Sequence, residues 1–389
     1  MGEAAIAPLD RLRLLVMRDA ALQARLARAG PEFAACATDA ASAHGIALSP
    51  DAFGEALRPD PLGIGCWAVP PVMGRDWPGA DWLPVDVPVS GGEASVDWSY
   101  FGGAPLRDAF FEGALRRALG NPFNRVFRYR MTLGDFVAAA KRADAPPPTG
   151  FIFHMSRCGS TLVSQMLAAL PDMSVISEAS PVDAMARVCR LSRALSGNDA
   201  ARCLSAVVSA FTRNAGRTVL KMSAWNALMM PAFRRAFPDT PWLFLYREPE
   251  EVLVSLLRER GAETRPEIVA PEFLGIAEPA AADEAYCAQV LEKICAAAVA
   301  QHASGGGRFI AYRDLPGAVA RAVLPHFAIA PRSRDLDALA AAARVDPKAG
   351  GIFTGDRNLK RAATTGAIRA AAARYVSGVH AQLESLRAD

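Results

Sequence analysis

No two of the seven cysteines (Cys36, Cys66, Cys158, Cys189, Cys203, Cys287 and Cys295) form a Cys-x-x-Cys pair, and their number is odd. That spacing argues against a disulfide framework and against a cysteine-based zinc site. Histidine is scarce as well, with five in the chain and none between His44 and His154. A His-x-Asp iron site cannot be assembled in that interval. No apolar run reaches the ~18 residues that a membrane span needs. Met1-Gly2-Glu3-Ala4-Ala5 leads into Asp10, Arg11 and Arg13 instead of an apolar stretch, so no signal peptide is read there. An excess of one charge is also missing, since 43 Lys and Arg against 40 Asp and Glu leave +3. This excludes a polybasic nucleic-acid binder but not a local anion site. The expectation is a reduced, cytoplasmic protein with no metal, no nucleic-acid partner and no membrane span. What is abundant is apolar: 51% hydrophobic against 21% charged is a globular composition, and 389 residues suffice for two or three domains.

Three zones follow along the chain. Residues 1–58 read as helical. Leu12, Leu14, Leu15, Leu22 and Leu26 have helical spacing and Gly30-Pro31 ends the run. A second helix from Glu32 to His44 stops at Gly45, and Ser49-Pro50-Asp51 opens a short third. This pattern, with "HGIALSPDAF", resembles the leader-peptide-like family related to nitrile hydratase and nitrogen-fixation leaders. An ordinary helical cap or dimerisation module accounts for it equally well. Residues 59–148 place Trp67, Trp77, Trp82 and Trp98 among Pro and Gly, which predicts irregular, partly extended structure packed by aromatics. Helices are predicted over 106–119 and around 132–142, before the proline run 143–150 that marks a domain boundary.

From residue 149 to 389 the pattern becomes strand, turn, helix. "GFIFHM", "RTVLKM", "PWLFLY" and "RFIAY" are short apolar strands, each followed by an amphipathic segment. The fold class predicted is α/β: a parallel sheet with helices on both faces, preceded by a mainly helical N-terminal region. The most informative of these units is Phe151-Ile152-Phe153-His154-Met155-Ser156-Arg157-Cys158-Gly159-Ser160-Thr161. A strand ends in a tight loop carrying one cation, one glycine and two hydroxyls, and a helix starts at once. Helix N–H groups, the helix dipole and the hydroxyls of Ser160 and Thr161 then form an anion cradle. Gly159 permits close backbone approach, and Arg157 adds a forked donor. A Walker A loop is ruled out, because its first glycine and its lysine are missing. A Cys-x5-Arg phosphatase loop fails too, because Ser164 stands where the arginine belongs.

A strand followed by [K/R]-x-G-[S/T]-T and a helix resembles the 5′-phosphosulfate loop of the sulfotransferases that use 3′-phosphoadenosine 5′-phosphosulfate (PAPS). Here it reads Arg157-Cys158-Gly159-Ser160-Thr161. The second signature of that family is a strand ending in Arg, then Pro with an acidic first turn, and a Ser eight residues after the Arg. Tyr246-Arg247-Glu248-Pro249-Glu250-Glu251, with Ser255, has this form. The resemblance implies a P-loop-type sheet, PAPS as co-substrate and sulfuryl transfer to a hydroxyl or amine. It assigns Arg157, Cys158, Gly159, Ser160 and Thr161 to the phosphosulfate, and Arg247 and Ser255 to the 3′-phosphate. Arg157 stands in place of the family's P-loop lysine; being always protonated, it stabilises charge but is a poor proton donor.

Glu178, after the first helix and a short strand, resembles the catalytic glutamate of glycan-modifying sulfotransferases and is the expected base. The histidine used by phenol and steroid sulfotransferases has no counterpart in "KMSAWNALMMPAFRRAFP". Lys221 at a strand end is a second expected cation, and His154 stands near the loop. Within the thiol-bearing loop, the anion site is expected to favour the Cys158 thiolate. "GGIFTGDRNLKRAATTGAIR" resembles the C-terminal loop of bacterial sulfotransferases, which makes Arg357, Lys360 and Arg361 expected partners of the nucleotide. The family's tryptophan after the P-loop is replaced by Leu162, so adenine stacking falls to another residue, with Trp225 as the candidate. Residues 59–148 and 261–285 are expected to shape the acceptor pocket. The alternatives are a P-loop nucleotide kinase, or a non-catalytic nucleotide- or peptide-binding protein.

Overall fold

The computed structural model describes residues 6–58, 69–103, 106–192, 194–214, 216–345 and 357–387. Cys66, Trp67 and the glycine-rich run 350–356 lie outside the described residues. The chain divides into two compact units. Among the described residues no helix is long and apolar enough to cross a membrane.

The first unit comprises Met1–Pro105, Glu112–Ala145 and Ser209–Asn214. Helices α1 (Pro8–Arg18), α2 (Ala20–Ala27) and α3 (Phe33–Ala43) form its start. The leucine-rich run is cut into two helices at Asp19, whose carboxylate caps α2 by accepting from the Leu22 N–H at 2.9 Å. The tryptophan-rich stretch is more ordered than its composition predicts. It pairs β1 (Val72–Gly74), β2 (Trp82–Asp86), β3 (Val89–Ser90), β4 (Glu93–Tyr100) and β5 (Tyr129–Thr132) into a sheet of order β1-β5-β4-β2, with β3 on β4. The strands are short, and β5 lies far along the chain from β4, so local alternation could not reveal the pairing. Helices α4 (Phe111–Gly120), α5 (Pro122–Val126) and α6 (Leu133–Ala140) complete the unit. Its core is aromatic, with Phe33, Trp82, Trp98, Phe123, Phe127 and Phe136 fully buried. Arg213 lies between the rings of Trp77 and Trp98, at 5.3 and 5.1 Å, and donates to the carbonyls of Pro78, Gly79 and Trp82. Burial lowers its pKa to about 10.

The second unit comprises Leu106–Phe111, Pro146–Val208 and Ala215–Asp389. Five strands, β6 (Gly150–His154), β7 (Met173–Ser177), β8 (Arg217–Lys221), β9 (Trp242–Tyr246) and β10 (Gly307–Ala311), form a wholly parallel sheet of order β10-β9-β6-β8-β7. Every residue of β6 and β9 is buried. Since successive side chains alternate faces, both faces of the sheet are covered, and the class is α/β. The principal covering helices are α7 (Ser160–Ala168), α8 (Ser180–Leu191), α9 (Gly197–Thr212), α10 (Met230–Ala236), α11 (Pro249–Arg258) and α12 (Asp283–Gln301). Further helices follow, among them Arg357–Ala362 and Ser377–Arg387. The chain leaves the central strand β6 toward β8 and β7, then crosses to β9 and β10 on the other side. The order therefore reverses between β6 and β9, and the crevice beyond the carboxyl ends of such strands is where open α/β sheets bind ligands.

Candidate functional site

The loop from β6 to α7 is built on left-handed backbone. Ser156 has φ 76°, Arg157 49° and Gly159 85°. For the two non-glycine residues this conformation costs about 1–3 kcal/mol each, a strain typical of ligand loops. The Met155 N–H donates to the Leu245 carbonyl at 3.0 Å, and the Arg247 N–H meets the Met155 sulfur at 3.1 Å, which ties the loop to the end of β9. Gly159 is the N-cap of α7, and no side chain caps the helix. Its first-turn N–H groups, with the nearly buried Ser160 and Thr161 beside them, are the donor set that an anionic group needs. A Cβ on Gly159 would stand 2.9 Å from both Tyr312 Cδ2 and Leu315 Cδ1. Gly159→Ala is therefore expected to lower the melting temperature and to weaken the hold of this loop on a phosphate-type anion at least tenfold, corresponding to about 1.4 kcal/mol or more. A thermal melt and a calorimetric titration check both.

Cys158 corrects its expectation. The thiol is fully buried beneath the loop and donates to the Leu245 carbonyl at 3.2 Å. Burial pushes its pKa up to about 12, against the weaker opposing pull of nearby amides and cations. The anion site does not stabilise a thiolate here, and only the backbone of Cys158 can serve a ligand. In the native protein, iodoacetamide should label the half-buried Cys36 well before Cys158, as peptide mass mapping over a time course would show.

Both arginines of the two motifs have acidic partners. Arg157 Nη1 lies 2.9 Å from Glu259 Oε2, and Nη2 donates to the Glu259 carbonyl at 2.6 Å. Arg247 is buried, donates from Nε to Glu251 Oε2 at 2.7 Å, and stacks with Cζ 3.9 Å from the Tyr312 ring centroid. Pro249 opens α11, and Ser255 lies one turn beyond Glu251 on that helix, half-buried. The short helix Arg357–Ala362 packs against α11; it buries Lys360 and brings Arg361 Nε within 3.8 Å of Glu251 Oε1. Arg247, Ser255, Lys360 and Arg361 thus belong to one region, with α11 as its spine. Beside it, a cavity of about 240 Å³ is lined by Leu162, Arg247, Glu251, Tyr312, Arg313 and His380, among others. Sequence reasoning missed Tyr312, Arg313 and His380. The first two follow β10 as Arg247 follows β9, so the strand-end rule was a usable signal; His380, on the last helix, carried none. Trp225 is not part of this region's surface. It is buried, edge-on to Phe273 at 5.1 Å, with Arg187 over its ring, and has no face to offer adenine.

On the other flank of the loop, Glu178 follows β7 with φ 50°. Its N–H donates to the Lys221 carbonyl at 2.7 Å, and the Lys221 ammonium returns a bond to Glu178 Oε1. Lys221 is fully buried at the end of β8, with Nζ 4.7 Å from the Phe110 ring centroid. His154, also buried, accepts the Ser156 N–H at Nδ1 (3.1 Å), so its proton sits on Nε2, which is 3.6 Å from Glu178 Oε1 and makes no hydrogen bond. Burial opposes ionisation of Glu178, but Lys221 and His154 outweigh it and hold the carboxyl well below the usual range. Asp183, on α8, accepts from Ser223 Oγ at 2.7 Å and Asn226 Nδ2 at 2.5 Å. Burial raises its pKa to about 7, against the pull of those two donors. Among the described residues, no three His, Cys, Asp or Glu are grouped to hold a metal ion.

The carboxyl ends of all five strands therefore present polar groups to one rim: His154 and the loop from β6, Glu178 after β7, Lys221 on β8, Arg247 after β9 and Tyr312 after β10. No family model matches the chain, and no curated protein matches it. Among solved structures it is similar to sulfotransferase STF9 from Mycobacterium avium, at 12% identity and TM-score 0.39, over 63% of this chain and 81% of that one. It is also similar to the sulfotransferase domain from the curacin biosynthetic pathway, at 16% identity and TM-score 0.37, over 59% of this chain and 98% of that one. A third similarity is to the sulfotransferase domain of the Synechococcus PCC 7002 olefin synthase, at 15% identity and TM-score 0.36, over 63% and 96%.

Proposed function

We propose that the second unit transfers a sulfuryl group from PAPS to a hydroxyl or amine of an acceptor. The observation that carries this reading is the pairing of two motifs across the strand-order reversal. The Arg157–Thr161 loop follows β6, and Arg247 follows the adjacent parallel strand β9. The donors fit such a nucleotide. The uncapped start of α7, with Ser160 and Thr161, suits the phosphosulfate end, and Arg247, Ser255, Lys360 and Arg361 suit the 3′-phosphate. Glu251 fixes one edge of the Arg247 guanidinium and so sets its orientation.

When bound, PAPS supplies the sulfuryl group and a phosphate leaving group. Arg157 and the loop amides stabilise charge that develops on the leaving side, which requires Arg157 to exchange Glu259 for the nucleotide. Glu178 receives the acceptor proton at Oε2. The contacts from Lys221 and His154 both fall on Oε1, and no donor among the described residues meets Oε2, which is not sealed from solvent. A carboxyl held below the usual range is ionised at neutral pH, as a base must be. It takes a proton only from an acceptor already losing it in the transition state.

The test is to incubate the chain with ³⁵S-labelled PAPS and fractionated hydroxyl- and amine-bearing acceptors, and in parallel with γ-³²P-labelled ATP and Mg²⁺. Enzyme-dependent movement of ³⁵S onto an acceptor supports sulfuryl transfer. Movement of ³²P in its place supports a nucleotide kinase.

A further inference from the structure

Resting on the sulfuryl-transfer reading, we infer that His154 is a positioning residue that couples the phosphate loop to Glu178, using one ring nitrogen for each. Nδ1 accepts the N–H of Ser156, a residue held at φ 76° in the loop itself. Nε2 faces Glu178 Oε1 at 3.6 Å, on the oxygen already bound by Lys221. The ring is 4% exposed, and its Nε2 is buried without a hydrogen-bond partner. A buried N–H aimed at a carboxylate slightly beyond bonding distance has one direction in which to be satisfied, and that is closure onto Glu178.

The coupling follows from the imidazole's chemistry. In the neutral ring only one nitrogen carries the proton, so the loop's donation to Nδ1 is what assigns the proton to Nε2. A loop conformation that withdraws the Ser156 N–H removes that assignment and with it the second donor to Oε1. His154 thereby makes the setting of the base depend on the shape of the anion cradle. Lys221 anchors Oε1 from β8 whatever the loop does, and His154 is the part of the clamp that senses the loop. Closure of Nε2 onto Oε1, beside Lys221, would leave Oε2 as the oxygen presented to the acceptor.

Two amide substitutions separate the halves of this role. Asn at position 154 places an acceptor near Nδ1 but does not reach Glu178, whereas Gln reaches toward Glu178 but loses the local acceptor. His154→Asn is expected to keep its affinity for adenosine 3′,5′-bisphosphate within about threefold while kcat falls about 10- to 100-fold. His154→Gln is expected to lose nucleotide affinity. Equal turnover by His154→Asn and wild type overturns the inference, and so does equal loss of nucleotide affinity in both variants with kcat preserved. A second measurement stands apart from activity and from folding of the histidine variants. In ¹⁵N-histidine spectra of the wild type, His154 should show a protonated Nε2 and an unprotonated Nδ1, and Glu178→Gln should shift the Nε2 resonance. A protonated Nδ1, or a resonance indifferent to Glu178, rejects the coupling. If the wild type fails to bind adenosine 3′,5′-bisphosphate while the spectra show the expected tautomer and shift, the sulfuryl-transfer reading fails and the geometry of His154 stands.

Discussion

Glu178→Gln is expected to lower kcat by about 10²–10⁴-fold, the range that a positioned base supplies, and to leave the affinity for adenosine 3′,5′-bisphosphate within about twofold. Gln keeps the shape and an acceptor oxygen for Lys221 but cannot take a proton. The substitution has a second consequence, because Lys221 is fully buried and Glu178 is its carboxylate. Removing one partner of a buried pair costs about 3–5 kcal/mol, toward the lower end here because 29% of the Glu178 side-chain surface is exposed. The double variant Glu178→Gln, Lys221→Met removes the stranded charge, so it should regain stability and stay inactive. Regained activity in it would assign the loss to folding. The sign of the pH effect is fixed by the depressed carboxyl. Its stabilising contribution is fully present above the unfolded value of about 4.3 and is lost as pH falls through the lower folded value. Acid melts of wild type should show this loss, and those of Glu178→Gln should lack it. The rate profile should have no limb from Glu178 between about pH 5 and 8.

Arg247→Ala is expected to weaken adenosine 3′,5′-bisphosphate binding by about two to three orders of magnitude, corresponding to about 3–4 kcal/mol, within the range for truncating a buried, hydrogen-bonded charge. The effect on adenosine 5′-monophosphate should be much smaller, since that ligand lacks the group Arg247 is proposed to hold. The substitution also removes one side of a buried pair: Glu251, 3% exposed, loses the Arg247 contact at 2.7 Å and keeps Arg361 Nε at 3.8 Å among its neighbours. Arg247→Ala combined with Glu251→Gln removes both charges of the pair. If the double variant is stable and still fails to bind, the arginine acts on the ligand. If it binds like the wild type, the arginine's role was to neutralise Glu251.

The strands of the second unit were legible because each is a short apolar run ending beside a turn and a helix, and the tight β6–α7 loop was legible because its one glycine and two hydroxyls sit at such a junction. Arg247 followed from the same rule. What local pattern could not show is what crosses the sheet. Glu259 against Arg157, the convergence of His154 and Lys221 on one oxygen of Glu178, and the Asp183 cluster each join residues from different strand–helix units. The left-handed backbone of Ser156, Arg157 and Glu178 was hidden for a related reason, since none is a glycine and tertiary contacts impose the strain. Trp225 was misassigned because an aromatic in sequence carries no sign of whether its faces are already covered.

The central claim is that the Arg157–Thr161 loop and Arg247 together bind a nucleotide carrying a 3′-phosphate. The most direct measurement is a metal-free calorimetric titration with adenosine 3′,5′-bisphosphate, set beside adenosine 5′-monophosphate and ATP with Mg²⁺. Binding of the bisphosphate at micromolar Kd or tighter is expected, stronger than the other two and weakened about 100- to 1000-fold by Arg247→Ala. Tighter binding of ATP with Mg²⁺, or indifference to the 3′-phosphate, would contradict it.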